Sequence, residues 1–431
     1  MWNLNLPVKP IVLGLFCLGV VLGQDRPSER PKDKIKNLSA LAKQGKSAVP
    51  AIAAYQRDAD ANVRFAAAEA LIDAGGVEAA DALRVSTEDG AAEVQRLAVA
   101  GIVNFYKPGY VKKGIRARLA SVNEKIMRSP NEPVIDAYVS ARAEDIAAIR
   151  KVLAGGADGA AKLQAAQALG TLRAKSALPD LYPLLKSKDD AMMLAALRAI
   201  EIAGDKAAAT ETIFLLRDLN DRIQGKAIGI NGVFRNEAAL ADLAEVFARG
   251  RSPQSRAAAM EAIAMIGSPE SRGLFEQNLD NRDEKLRGYG AEGIGRIGVA
   301  EARPKLEALY KEEASQRARL GQAFALVRLG NLDPGEFAPF TYLFNTLNSA
   351  AWHEYAESYL RELARQDEVR VALRGKVATA TRAEKIGLAR ILGFEGNAAD
   401  RAAVDALAHD RDAAVAEEGI KAARALSARL P

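Results

Sequence analysis

Three glycines at residues 288, 290 and 293, in the stretch GYGAEGIGRIG (288–298), have the GxGxxG spacing of a dinucleotide-binding turn. Such a turn works when it follows a buried strand directly, so that a helix start meets the pyrophosphate. Here the preceding residues are DNRDEKLR, too charged for a core strand. No cofactor is expected, and the glycines need another explanation. Metal and nucleophile chemistry has little more to work with. The chain has two histidines, His353 and His409, set far apart, and one cysteine, Cys17. A lone histidine does not make a metal centre, and no nucleophile-elbow motif is present. No catalytic, cofactor-binding or metal-ligating residue is assigned.

Cys17 stands in a segment different from the rest. Residues 1–23 hold one lysine, no acid, and an apolar run from Ile11 to Gly23. That run is short for a membrane span and suits the h-region of a secretory signal, with the mature chain starting near Gln24. A retained anchor is the competing reading. Cleavage would remove the only thiol, so the exported chain would have no disulfide and no thiolate site. It would also remove Lys9, lowering the formal net charge from +5 to +4, a balance too even to imply nucleic acid. The expected location is periplasmic or extracellular, with no integral span once the signal is gone. Residues 24–37, charged and nearly free of apolar side chains, read as a flexible leader.

From Leu38 onward the elements that must position any site come as a repeat. Alanine-rich stretches such as VRFAAAEALIDAG (63–75), KLQAAQALGTL (162–172) and RAAAMEAIAMIG (256–267) recur. A large apolar residue near the end of each forms a column: Leu71, Ile102, Tyr138, Leu169, Ile200, Ile230, Ile263, Ile294, Leu326, Leu360, Ile391 and Ile420. The step is close to 31 residues, the mark of a repeat array. Apolar spacing of three and four, as in Leu286, Tyr289, Ile294 and Ile297, predicts helices. Ser252-Pro253 and Ser268-Pro269 look like helix starts. Gly204, Gly267, Gly298 and Gly330 look like helix stops. Asp60, Asp190, Asp221 and Asp412 open helices where the dipole favours an acid.

The stretches DANVRFAAAEALIDAG and GAAKLQAAQALGTLRAKSALPDLYPLLKSKD resemble HEAT repeats of the short, phycobilisome-lyase-like type. The resemblance covers residues 38 to 431 and implies an all-α, right-handed superhelical solenoid of about 12 antiparallel helix pairs, its second helices lining a concave face. It divides into N-terminal repeats (38–130), regular central repeats (131–335) and irregular C-terminal repeats (336–431). Most such proteins are binding scaffolds, so the resemblance implies a protein partner of unknown identity. His353-Glu354 also resembles the His-Glu pairs of HEAT-like deoxyhypusine hydroxylases, which use several pairs where this chain has one. A degenerate enzyme, lyase- or hydroxylase-related, is therefore a secondary expectation. In register, Gly290 and Gly293 fall where other repeats have alanine, so the glycines read as close-packing positions.

Two departures from regularity offer candidate surfaces. Residues 105–128 carry Lys107, Lys112, Lys113, Arg116, Arg118, Lys125 and Arg128 against Glu124, with Phe105, Tyr106 and Tyr110 interleaved. Such a segment suits a polyanion, such as phosphate, an anionic glycan or nucleic acid, or else a solvated basic helix with its aromatics in the seam. Residues 337–359 concentrate Phe337, Phe340, Tyr342, Phe344, Trp352, Tyr355 and Tyr359. Aromatic clusters of this kind form interface hot spots, and they also fill irregular cores. Phe340, Tyr342, Trp352, His353, Tyr355 and Tyr359 are the partner-binding candidates, with Trp352, Tyr355 and Tyr359 expected to be the more exposed.

Overall fold

The computed structural model describes residues 30–111, 134–136 and 138–430. Among these, every regular element is a helix. A leading helix, α1 (Pro31–Ala42), takes up residues 31–37 of the stretch read as leader, because Leu38 is buried against the first repeat. Pairs then follow in order: α2 (Val49–Ala53) with α3 (Ala61–Ala74), α4 (Val77–Ser86) with α5 (Ala92–Tyr106), α6 (Ala143–Gly155) with α7 (Gly159–Thr171), and α8 (Leu178–Leu181) with α9 (Asp190–Ala203). Next come α10 (Lys206–Thr210) with α11 (Asp221–Val233), α12 (Leu240–Arg249) with α13 (Pro253–Ile266), α14 (Arg272–Asn278) with α15 (Glu284–Ile297), and α16 (Arg303–Glu312) with α17 (Gln316–Arg328). The array ends with α18 (Pro339–Asn345) and α19 (His353–Leu363), α20 (Asp367–Lys376) and α21 (Arg382–Glu395), and α22 (Arg401–Ala408) and α23 (Ala413–Arg429). The described residues thus hold eleven pairs of an α-solenoid. The signal segment, and all of the basic segment from Lys112 to Arg128, lie outside the described residues. No described helix is long and apolar enough to cross a membrane.

The apolar column accounts for the core. Leu71, Ile102, Leu169, Ile200, Ile230, Ile263, Ile294, Leu326, Leu360 and Ile391 are all at most 1% exposed. Two members depart from expectation. Tyr138 sits in a turn, not a helix, and α5 packs directly on α7, so the step of 36 residues spans an insertion that adds no described pair. Ile420 is 44% exposed on α23, whose buried face is formed by Val415, Gly419, Ala422 and Leu426. The insertion is pinned on both sides by Asp145, which is fully buried. Arg84, Arg142 and the Tyr106 hydroxyl all donate to it, tying α4, α5 and α6 together.

Helix ends follow simple chemistry. Asp60, Ser252, Asp283 and Asp412 cap second helices by accepting from backbone N–H groups two or three residues on. Ser268 makes no such bond and leads only a short 3₁₀ turn. Arg64, Arg256 and Arg287, each four residues past its cap, donate to carbonyls of the preceding loop. The helix stops at Gly204, Gly267, Gly298 and Gly330 are left-handed, where glycine pays no Cβ penalty.

Close approach explains the glycine-rich α15. A Cβ at Gly293 would lie 2.5 Å from the Phe275 ring of α14, and one at Gly295 would lie 2.6 Å from the Ala325 Cα of α17. The same Gly-on-Ala contact recurs where Gly232 of α11 meets Ala262 of α13. These positions are tighter than alanine allows. GxGxxG here is a packing surface facing two helices at once.

Candidate functional site

Second helices pack against one another along the array, and their shared face curls inward. The curl is direct: Arg235, just past α11, pairs with Glu362 of α19, 127 residues away. Between them opens a concave cleft of about 680 Å³. The last turns of successive second helices supply its floor, with Val233, Met265 and Arg296 at matching places in α11, α13 and α15. Helix α19 supplies one wall through His353, Glu357, Arg361 and Glu362, and α21 supplies Arg390 and Glu395.

Arg235 is unusual locally. Its φ of 51° places an arginine in the left-handed slot that glycine fills in other repeats. Such a conformation costs about 1 kcal/mol or more and persists where the surroundings hold it. The Arg235 N–H donates to the Gly232 carbonyl at 2.9 Å, and its side chain pairs with Glu362. The only other described non-glycine residue with positive φ, Arg173, occupies the equivalent slot after α7.

Behind the cleft floor lies a buried ionic network. Arg296 donates to Glu292 at 3.0 Å and to Glu362 at 3.1 Å, and it stacks 4.6 Å from the Phe324 ring centre. Arg317 is clamped between the Tyr289 and Tyr355 rings, at 4.7 and 4.4 Å, and reaches Glu261 at 3.5 Å. Tyr289 donates to Glu261 at 2.9 Å, and Tyr359 donates a short bond to Glu292. Arg296 and Arg317 are only 5% exposed at the side chain, and Glu292 only 2%. Buried charges of this kind hold only when paired and hydrogen-bonded.

The electrostatics follow from burial and pairing. Burial and the nearby Glu292 push the Glu261 carboxyl above its ordinary 4.5, although Arg317 opposes them. Burial would raise Glu362 too, but Arg296 and Arg235 outweigh it and hold that carboxyl below the usual range. Burial and Glu292 push the Tyr359 hydroxyl well up, so it stays a donor. Burial alone would lower the Arg296 guanidinium, yet Glu292 and Glu362 raise it, so it stays charged.

The residues expected at a partner surface separate. Phe340 and Tyr359 are buried, at 2% and 5% exposure, which corrects their reading as contact residues. Their helices turn them into the C-terminal core, where Phe340 stacks on Phe344 and Tyr359 lies at a tilt against Phe324. Tyr342 is half-buried against Tyr310. Trp352 is half-buried beside Tyr355, which is 41% exposed but engaged with Arg317. His353 alone of the six lines the cleft, its Nδ1 lying 2.9 Å from the Ser349 carbonyl oxygen. Among the described residues no three His, Cys, Asp or Glu side chains are grouped to hold a metal. Lys107, the one described member of the basic set, stands 3.8 Å from Asp136. Arg235, Arg296, Arg361 and Glu362 carried a faint signal, an arginine at a glycine slot and charged side chains among apolar helix residues, whereas Val233 carried none.

The HEAT-repeat family model matches residues 240–327, the stretch from α12 into α17. No curated protein matches the sequence. Among solved structures, human deoxyhypusine hydroxylase in complex with glycerol is similar at 19% identity, over 60% of this chain and 99% of that one, with a TM-score of 0.29. The karyopherin Kap121p, bound to the extreme C-terminus of the protein phosphatase Cdc14p, is similar at 13% identity over 92% of this chain, with a TM-score of 0.40. This chain spans about half of that karyopherin, 48% of its length.

Proposed function

We infer, from a HEAT-repeat chain whose inner face curls into a cleft, that the protein is an exported, non-catalytic scaffold that holds a segment of another protein there. The observation that carries this is the Arg235–Glu362 contact, which brings second helices from distant repeats around one concavity. A rigid floor faced with exposed side chains suits recognition, because little ordering is left to do on binding. Val233 is 56% exposed on that floor, and the buried network behind it fixes the wall.

Export rests on the apolar run from Ile11 to Gly23. N-terminal sequencing of the native protein should find a chain beginning near Gln24 in the exported fraction. A chain retained inside the cell and starting at Met1 would overturn that part.

The binding surface is tested by placing a photo-crosslinking amino acid at Val233, in the cleft, and at Leu219, 80% exposed elsewhere on the array. Illumination in living cells should give a discrete crosslinked product at Val233 and none at Leu219. A product at Leu219 alone, or at neither position, would refute the cleft as the docking surface.

A further inference from the structure

The cleft continues into a side pocket of about 310 Å³ between the α18–α19 connection and α21, walled by Leu347, Ala350, Ala383 and Ile386. The two share His353, Glu357 and Arg390, so an occupant of one reaches the other. One residue in the cleft is unfinished. Arg361, one helical turn past Glu357, stacks its guanidinium 4.2 Å from the Phe394 ring centre. Its Nε–H is buried with no acceptor. No carboxylate among the described residues pairs with this guanidinium, so its charge is available to an acceptor from outside.

The neighbouring charges are otherwise consumed. Glu357 and Glu418 take Arg390, Glu395 takes Arg365, and Glu362 takes both Arg235 and Arg296. Arg361 has only the ring of Phe394, and Lys206 at the opposite rim is exposed. The Nη groups of a guanidinium can donate two parallel bonds to one carboxylate. The cleft lining as a whole carries six cations against four carboxylates. Interleaved Glu354, Glu357 and Glu395 would repel a polyphosphate backbone, whereas isolated carboxylates can thread between them.

We propose that the cleft receives an acidic peptide segment of the partner, with a carboxylate on Arg361 and an adjacent apolar side chain in the Leu347–Ile386 pocket. This rests on the partner-binding reading above and names the chemistry of the partner. Arg361 orients the carboxylate, Lys206 adds attraction at the rim, and the side pocket selects for an apolar neighbour.

The test uses the purified full chain and a short fluorescein-labelled peptide in which glutamates flank one phenylalanine, read by anisotropy. Binding should weaken as salt rises. It should fall about tenfold or more with Arg361→Gln, since hydrogen bonds to charged groups carry that much. Ala383→Trp, a change at an exposed position that fills the pocket, should produce a similar loss, as should phenylalanine to alanine in the peptide. Lys206→Glu should weaken binding less, and it guards against a folding artefact at Arg361. Equal affinity for a peptide with lysines in place of the glutamates, or unchanged affinity in both Arg361→Gln and Ala383→Trp, overturns the proposal. No binding by the acidic peptide overturns it as well. The Val233 crosslink separates the two failures. If it persists while the acidic peptide fails, the cleft binds a partner of other chemistry, and if both fail, the cleft is not a docking site.

Discussion

Two stretches of the inner layer close their seams by different means. Between α11 and α13 the contact is small and neutral. Gly232 lies on Ala262, and Gln224 accepts from the Ser255 hydroxyl at 2.9 Å. Between α13 and α19 it is ionic, with Arg296 and Arg317 set among Glu261, Glu292 and Glu362. Short neutral side chains reach only the next helix. Arginine and glutamate reach further, and their pairing ties α11 and α15 to α19, which stands in a later repeat. The neutral seam builds the array, and the ionic seam sets how far it curls.

Glu292→Ala should break this contrast most severely. It takes the acceptor from the buried Tyr359 hydroxyl and leaves Arg296 with Glu362 alone as its carboxylate, and losing one member of a buried ion pair costs about 3–5 kcal/mol. Gln224→Ala in the neutral seam should cost only about 1–2 kcal/mol. Urea unfolding midpoints of the two variants make the comparison, and equal losses would mean that the ionic seam is not special.

Glycine substitutions should come next. Gly295→Ala forces a Cβ against Ala325 and should destabilise by about 1–3 kcal/mol. Gly229→Ala in α11, where a Cβ meets nothing within 4 Å, should instead stabilise by about 0.4–1 kcal/mol. Thermal melts that move in the same direction for both would remove close packing as the reason for the glycines.

Acid should act on the ionic seam in two opposite ways. Glu362 is held below its ordinary 4.5, so its contribution is complete above 4.5 and is lost as pH falls through its lowered folded value. Glu261 is raised above 4.5, so protonation there favours the folded chain as pH falls toward 4.5. Melting temperature against pH should therefore lose part of its acid-side fall in Glu362→Gln, whereas Glu261→Gln should remove an opposing trend. Superimposable profiles for wild type and Glu362→Gln would contradict this.

The smallest effect separates the two left-handed arginines. Arg173→Gly relieves strain and loses only a 3.3 Å bond to the Ile135 carbonyl, so it should stabilise by about 1 kcal/mol. Arg235→Gly relieves the same strain but frees Glu362, so its net change should be near zero or unfavourable. A double-mutant cycle with Glu362→Gln should show coupling at Arg235 and none at Arg173.

Much of the fold was legible because a packed helical repeat must repeat its packing. Ten of the column residues lie in the core as expected, and the left-handed stops fall at glycines that the register marks. The column failed at Tyr138, which sits in a turn at an insertion, and at Ile420, which α23 turns away from its buried face. The aromatic cluster was ambiguous because Tyr355 and Tyr359, four residues apart, have the same helical spacing whether they face a core or a partner. Their two-way outcome, one exposed over Arg317 and the other bonded to Glu292, depends on α15 and α17.

The sequence by itself determined the helices, their repeat and their caps, because these follow from local spacing and from chemistry within one turn. It also determined that GxGxxG is no nucleotide turn, since no strand precedes it. Only the tertiary structure decided which charges are buried and where the cleft lies. Arg235, Arg296 and Glu362 belong to different repeats, and the distance between them depends on the accumulated small rotation from each pair to the next. That sum is a property of the whole stack, and no local pattern encodes it.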